Sequence, residues 1–246
     1  MSLITIFLAL VVGVTLGLFG GGGAALTVPI FVYVIGVPAK SAVPMSFVVV
    51  GIAAAIGARH RWRAGHLEPR VGLGYGVAAV AGAFAGARIG AQMPARMQLS
   101  LFGIAIIAAA LSMLRSASRA EGSRRKLPFG VAAGTFALIG AFTGMVGVGG
   151  GFLFVPALVV LVGVPMIEAT GLSLMVIAMN ATAALGGYLG QVAIDWPLAL
   201  LFTGFVACGM LPAGAMAHRV PVAVLKRAFA GMLVAVGGLV LFNNLR

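Results

Sequence analysis

The chain has 246 residues, of which 62% are hydrophobic and only 8% charged, with a mean hydropathy of +1.17. A soluble domain is about 25% charged, so a water-facing surface cannot be built from this composition, and lipid must be the solvent for most of the chain. The net charge of +12 would suit a nucleic-acid binder, but Lys and Arg stand in short runs between apolar blocks with no separate basic domain. They read as residues that fix topology by staying cytoplasmic; no nucleic acid is expected as a partner.

Taken in chain order, the run from Met1 to Phe7 lacks a basic n-region and a small-residue cleavage site. It therefore reads as the start of a first spanning helix over 3–19, not as a removable leader. Gly20-Gly21-Gly22-Gly23 interrupts the apolar pattern, and a short apolar stretch follows over 24–36. At 1.5 Å per residue that stretch reaches only about 20 Å, so it either crosses at a thinned or packed place or is re-entrant. Gly36-Val37-Pro38 ends it, and spans follow over 40–58, 71–91 and 97–114. The polar stretch Arg115–Lys126 lies near the midpoint and divides the chain into two transmembrane repeats, 1–120 and 121–246. In the second, a span over 128–146 leads into Gly147-Val148-Gly149-Gly150-Gly151, a short stretch over 151–163, Gly163-Val164-Pro165, and spans over 167–187, 197–216 and 224–243. The expected fold is an all-α polytopic membrane protein of about 8–10 membrane segments.

The halves repeat at a constant offset of 127 residues. Gly20 falls on Gly147, Gly22-Gly23 on Gly149-Gly150, Pro29 on Pro156, Gly36-Val37-Pro38 on Gly163-Val164-Pro165, Ser46 on Ser173 and Gly82 on Gly209, without a gap. Four crossings per half would make the repeats parallel, and five would invert them. Five crossings with the Arg59–Arg70 loop inside place more of the 16 Lys and Arg on the cytoplasmic side and leave Asp195 outside, which favours inverted repeats with both termini outside.

The paired glycine runs are the expected site. Glycine lets backbone N–H groups approach a ligand closely, and a helix that starts after a break presents unpaired N–H groups and a partial positive charge. Two such ends at matching positions of two halves mark a transporter's midplane site and suit a small anion. Gly21, Gly22, Gly23, Gly149, Gly150 and Gly151 are the candidate contacts. The competing use of these glycines is close helix packing. Ser46 and Ser173 are matched polar residues that could equally donate to an anion or bond back to their own helix. Asn180 is costly in lipid and should face a partner or a cavity. Pro29 and Pro156 read as kinks. Arg88 reads as a snorkelling residue or a mouth residue, and Trp62 and Trp196 as interface anchors.

The four acidic residues, Glu68, Glu121, Glu168 and Asp195, all fall in loops or at helix ends. No carboxylate is offered for a buried cation or a proton relay, which again favours an anion. The lone Cys208 makes a metal cluster implausible, and no cofactor is expected. No Ser, His and acid set shares a plausible membrane depth, so an enzyme is not expected. An anion channel of the same architecture, and more remotely an intramembrane enzyme or receptor subunit, are the alternatives to a secondary transporter.

Gly20–Pro29, Gly36-Val37-Pro38 through Ser46, Gly147–Pro156, Gly163–Ser173 and Gly82–Pro94 resemble the TauE/SafE sulfite-exporter family over nearly the whole chain. That resemblance implies transport, with export expected, of a small sulfur-containing anion such as sulfite or an organosulfonate, across a bacterial inner membrane. The family's usual Gly-Thr-Ser falls on Pro44-Met45-Ser46 and Gly171-Leu172-Ser173, so the Thr is missing from both halves. The expected partners are the small anionic substrate and the lipid bilayer, with a homodimer allowed as the assembly.

Overall fold

A computed structural model describes residues 2–63, 65, 69–117, 128–147, 151–216 and 222–245. Among them are ten α-helices and no strands: α1 (Leu3–Phe19), α2 (Gly22–Pro29), α3 (Ala39–Arg63), α4 (Pro69–Gln92), α5 (Ala95–Ala117), α6 (Phe129–Val146), α7 (Gly151–Ala157), α8 (Met166–Tyr188), α9 (Trp196–Met216) and α10 (Val222–Leu245). Five of them are long and apolar enough to cross a membrane by length and composition: α3, α4, α6, α8 from Glu168, and α9. The chain is an all-α, multi-pass membrane protein. Its outward faces carry Leu3, Phe7 and Leu138, the last 73% exposed, which is stable only against lipid.

The two short stretches are helical. α2 runs on into a π-helical segment over Ile30–Ile35, and α7 into one over Leu158–Val162. The kinks expected at Pro29 and Pro156 take this form, a change of helix type with no break. A proline cannot donate to the carbonyl four residues back, so Ala25 and Phe152 lose an intrahelical bond at the prolines. Gly36 and Gly163 then close the π-helical segments in the left-handed region, at φ 82° and 79°. Val37 donates back to the Phe31 carbonyl and Val164 to Leu158, so Gly-Val-Pro ends each short helix as the sequence indicates.

Small residues set the packing. In lipid, helices are held by close van der Waals contact because the hydrophobic effect offers little between them. α4 and α6 run parallel in one such seam. A Cβ at Gly82, Gly86 or Gly90 would meet the carbonyls of Ala137, Ala141 and Met145 in turn, and one at Gly140 or Gly144 would meet Ala79 or Ala83. α1 and α9 repeat the arrangement, with Gly13 against Val206, Gly17 against Met210 and Gly209 against Leu10.

Other pairs run the opposite way. α3 and α8 are antiparallel, with Phe47 against Tyr188, Gly51 against Ala181 and Gly57 against Leu174. α5 and α10 are also antiparallel, with Gly103 against Leu241 and Gly237 against Ile106 and Ile107. Between the seams, α2 and α7 lie in the interior. Every residue of α2 except Leu26 is buried.

Candidate functional site

The site is built where α1 and α6 end. Gly20 terminates α1 at φ 69°, and its N–H donates to the Leu16 carbonyl at 2.9 Å; Gly147 terminates α6 at φ 91°, donating to Thr143 at 2.9 Å. Both need glycine twice over. The left-handed conformation disfavours a side chain, and a Cβ would strike Thr170 at Gly20 or Val43 at Gly147.

Each break is held by a serine from the other half. Ser46 on α3 donates to the Gly147 carbonyl at 2.6 Å, and Ser173 on α8 donates to the Gly20 carbonyl at 2.7 Å. Both also reach a carbonyl of their own helix, Val43 at 2.7 Å and Thr170 at 3.0 Å. A hydroxyl has a single proton, and here it is shared between carbonyls. Both serines are fully buried. Of the two uses expected for them, the back-bond is present, joined by a brace across the halves that the sequence alone did not suggest.

Beyond Gly20, the chain starts a new helix at once. Gly21 precedes α2 with no side-chain cap. Helix geometry leaves the N–H groups of Gly22 and Gly23 without intrahelical partners, and the α2 dipole adds positive potential there. Gly21 lies directly against Gly151, the first residue of α7: a Cβ on either would run into the backbone of the other. The starts of the two broken helices therefore touch, which is the close-packing use of glycine. Gly149 and Gly150, the other candidates of the second run, lie outside the described residues, as does Val148.

Asn180, one turn along α8 from Ile177, which a Cβ on Gly151 would meet, is fully buried. Its Nδ2 donates to Thr143 Oγ1 at 3.2 Å, while Thr143 donates its own proton to the Gly140 carbonyl at 3.1 Å. That chain fixes which way the amide points. Oδ1 is left buried with no partner. Asn180 thus faces both a partner and an unmet need for a donor, close to the breaks.

Two further features were not singled out as site residues. At the α6 end, Gln98 Nε2 donates to the Met145 carbonyl and to the Tyr188 hydroxyl, both at 2.7 Å. Tyr188 donates to Met145 at 3.1 Å, and Lys40 Nζ caps α4 on the Gly90 and Ala91 carbonyls at 3.2 and 2.8 Å. At the α1 end, Arg61 is only 8% exposed, whereas Arg59, His60, Trp62 and Arg63 around it are exposed. Its Nη2 donates to the Gly17 carbonyl at 3.1 Å. The signal that could have separated it from its neighbours is helical spacing, since Val50, Ala54, Gly57 and Arg61 form one buried stripe on α3.

The remaining candidates keep to the surface. Arg88 is exposed and lies over the Phe84 ring at 5.3 Å. Trp62 and Trp196 are exposed at their helix ends. Glu168 is exposed, and Asp195 caps α9 by accepting from the Leu198 N–H at 3.0 Å; Glu68 and Glu121 lie outside the described residues.

A family described as sulfite exporter TauE/SafE matches residues 5–240. A "Probable membrane transporter protein" of Xylella fastidiosa strain Temecula1 is 32% identical over 242 residues, covering 95% of this chain and 92% of that protein. The "Probable membrane transporter protein YdhB" of Bacillus subtilis strain 168 is 24% identical over 250 residues, covering 97% and 99%. No solved structure matches the chain.

Proposed function

We infer the function from the premise that this chain belongs to the sulfite exporter TauE/SafE family. It is a membrane transporter and not an enzyme. We propose that it is a secondary transporter, working as an exporter, of a small sulfur-containing anion such as sulfite or an organosulfonate. Transport runs by alternating access around the paired glycine breaks, in a bacterial inner membrane.

The observation that carries this reading is the junction of the two breaks. α2 begins with uncapped N–H groups beside Gly21, Gly21 touches the start of α7, and each preceding glycine is braced by a serine of the other half. Such a junction offers an oxyanion backbone donors and helix-end potential without a desolvated counter-charge. Both described acidic residues are exposed, so no carboxylate among the described residues opposes an anion there.

The alternating step draws support from helix direction. α3 and α8, and α5 and α10, occupy equivalent places in the repeat and run antiparallel. Inverted copies require that, and parallel copies forbid it. In this reading residues 1–120 and 121–246 are inverted repeats that rock against each other.

The test is thermal stabilisation of the purified chain by sulfite, thiosulfate, sulfate, sulfoacetate, taurine and acetate. A ligand of the folded state raises apparent stability by mass action. A selective upward shift with one sulfur oxyanion, and counterflow of that anion in liposomes, is the expected result. No shift and no flux with any of the six would overturn the reading.

A further inference from the structure

The repeat lets the two ends of the α3–α8 seam be compared residue by residue. Because α3 and α8 are antiparallel, the end of α8 meets the start of α3 at one end of the seam, and the end of α3 meets the start of α8 at the other. At the first, Phe47, Ala83, Ala87, Ala184 and Tyr188 belong to a hydrophobic cluster of their own, each 0–1% exposed. Offset by 127, these residues fall on Leu174, Met210, Gly214, Gly57 and Arg61. All five line one cleft at the second end. A sealed cluster in one copy is thus a cleft in the other: Ala87 is fully buried, whereas Gly214 is half-buried. The cleft is narrow and apolar, which suits a gap between helices and not a seat for an ion.

The polar ties at the two ends differ in the same sense. At the sealed end Gln98 donates to Tyr188 and to the Met145 carbonyl, Tyr188 also donates to Met145, and Lys40 joins α3 to the last carbonyls of α4. At the cleft Arg61 makes one hydrogen bond among the described residues, to the Gly17 carbonyl. The repeat positions of Gln98 and Lys40 hold Leu225 and Ile167, whose side chains have no donor. Inverted halves that rock around a fixed site open one end as they close the other. Packed ends of this kind switch between discrete arrangements and do not deform continuously.

We propose that the Tyr188 cluster and the Arg61 cleft are the two gates of the transport path, with the Tyr188 gate shut and the Arg61 gate loosened in this structure. This rests on the alternating-access reading above and deepens it by naming the parts that move. In the opposite state the Tyr188 cluster parts. Gly57, Leu174, Met210 and Gly214 then close around Arg61 as Ala184, Phe47, Ala83 and Ala87 close around Tyr188 here. Gly214 becomes as buried as Ala87 is now.

The experiment reads that burial with a water-soluble maleimide on the full-length chain in lipid nanodiscs, where both membrane faces are reachable. The reporter is Gly214→Cys, whose Cβ would meet its nearest neighbour, Gly17, at 3.7 Å; Cys208→Ser removes the exposed natural thiol. Ala184→Leu overfills the sealed cluster and disfavours every state in which that gate is shut. Labelling of the reporter should slow about 5- to 100-fold, the population shift that overpacking of a closed core brings. Gly57→Leu wedges the cleft at the repeat position and should leave labelling at the wild-type rate or faster. Ala87→Leu is a second wedge in the same cluster and decides the matter if the Ala184→Leu chain does not fold. Unslowed labelling in a folded wedge variant, or equal slowing in Gly57→Leu, would overturn the gates and leave the transport reading standing where the wild-type chain carries one of the six anions in liposomes. If it carries none of them, the transport reading falls, and the gates with it.

Discussion

Replacing Ser173 by alanine removes the proton that holds the Gly20 carbonyl at 2.7 Å. The same hydroxyl also reaches Thr170 at 3.0 Å, but that carbonyl lies inside α8 and keeps its helical partner. The loss therefore falls on Gly20. A buried acceptor left without a donor costs about 1–3 kcal/mol. For a chain of this size that is a lowering of the unfolding midpoint by roughly 2–12 °C. Ser46→Ala removes the equivalent bond to Gly147 at 2.6 Å and should cost a similar amount. Because Gly21 touches Gly151, the double variant should depart from additivity by about 0.5 kcal/mol or more. The assay is thermal unfolding in detergent for the four chains, with amide exchange followed at residues 20–23, which should quicken in Ser173→Ala. Wild-type midpoints in both single variants would refute the brace.

Three other outcomes follow from the geometry. Gly140→Ala puts a methyl into the Ala79 carbonyl and should destabilise by about 1–3 kcal/mol or more, whereas Gly134→Ala meets nothing within 4 Å and should stabilise by about 0.5–1 kcal/mol; paired unfolding midpoints check both. Asn180→Leu removes a buried, half-satisfied amide, so stability should hold or rise, while sulfite counterflow in liposomes should fall at least tenfold if its free Oδ1 serves the substrate path. Lys40→Met strips the cap from the last turn of α4 and should lower stability by about 0.5–1 kcal/mol, measured in the same unfolding assay.

The broad plan was legible in the residues because it follows from one-dimensional signals. Span 3–19 appears as Leu3–Phe19, and the eight long spans fall within about five residues of the observed ends. Gly36 and Gly163 stop their helices where Gly-Val-Pro stands, since a left-handed cap is a local demand. What escaped was anything that depends on which helix of one half meets which helix of the other. Aligning the halves pairs Ser46 with Ser173, and that alignment hides the fact that each serine serves the glycine of the other half. The π-helical segments after Pro29 and Pro156 were equally invisible, because proline says a bond is missing without saying how the backbone closes the gap. Arg61 was merged with its neighbours because charge counts carry no direction; the stripe through Val50, Ala54 and Gly57 held the information.

The exchanged serines also bear on how the molecule is made. Gly20 is synthesised early, but the hydroxyl that holds its carbonyl is 153 residues further along the chain. Until α8 has emerged and inserted, the junction after α1 is without its brace. The first half can enter the membrane in sequence, yet its central turn becomes final only when the second half arrives. A nascent chain halted before Ser173 should therefore sit in the bilayer with its leading helices placed and its centre still unlatched.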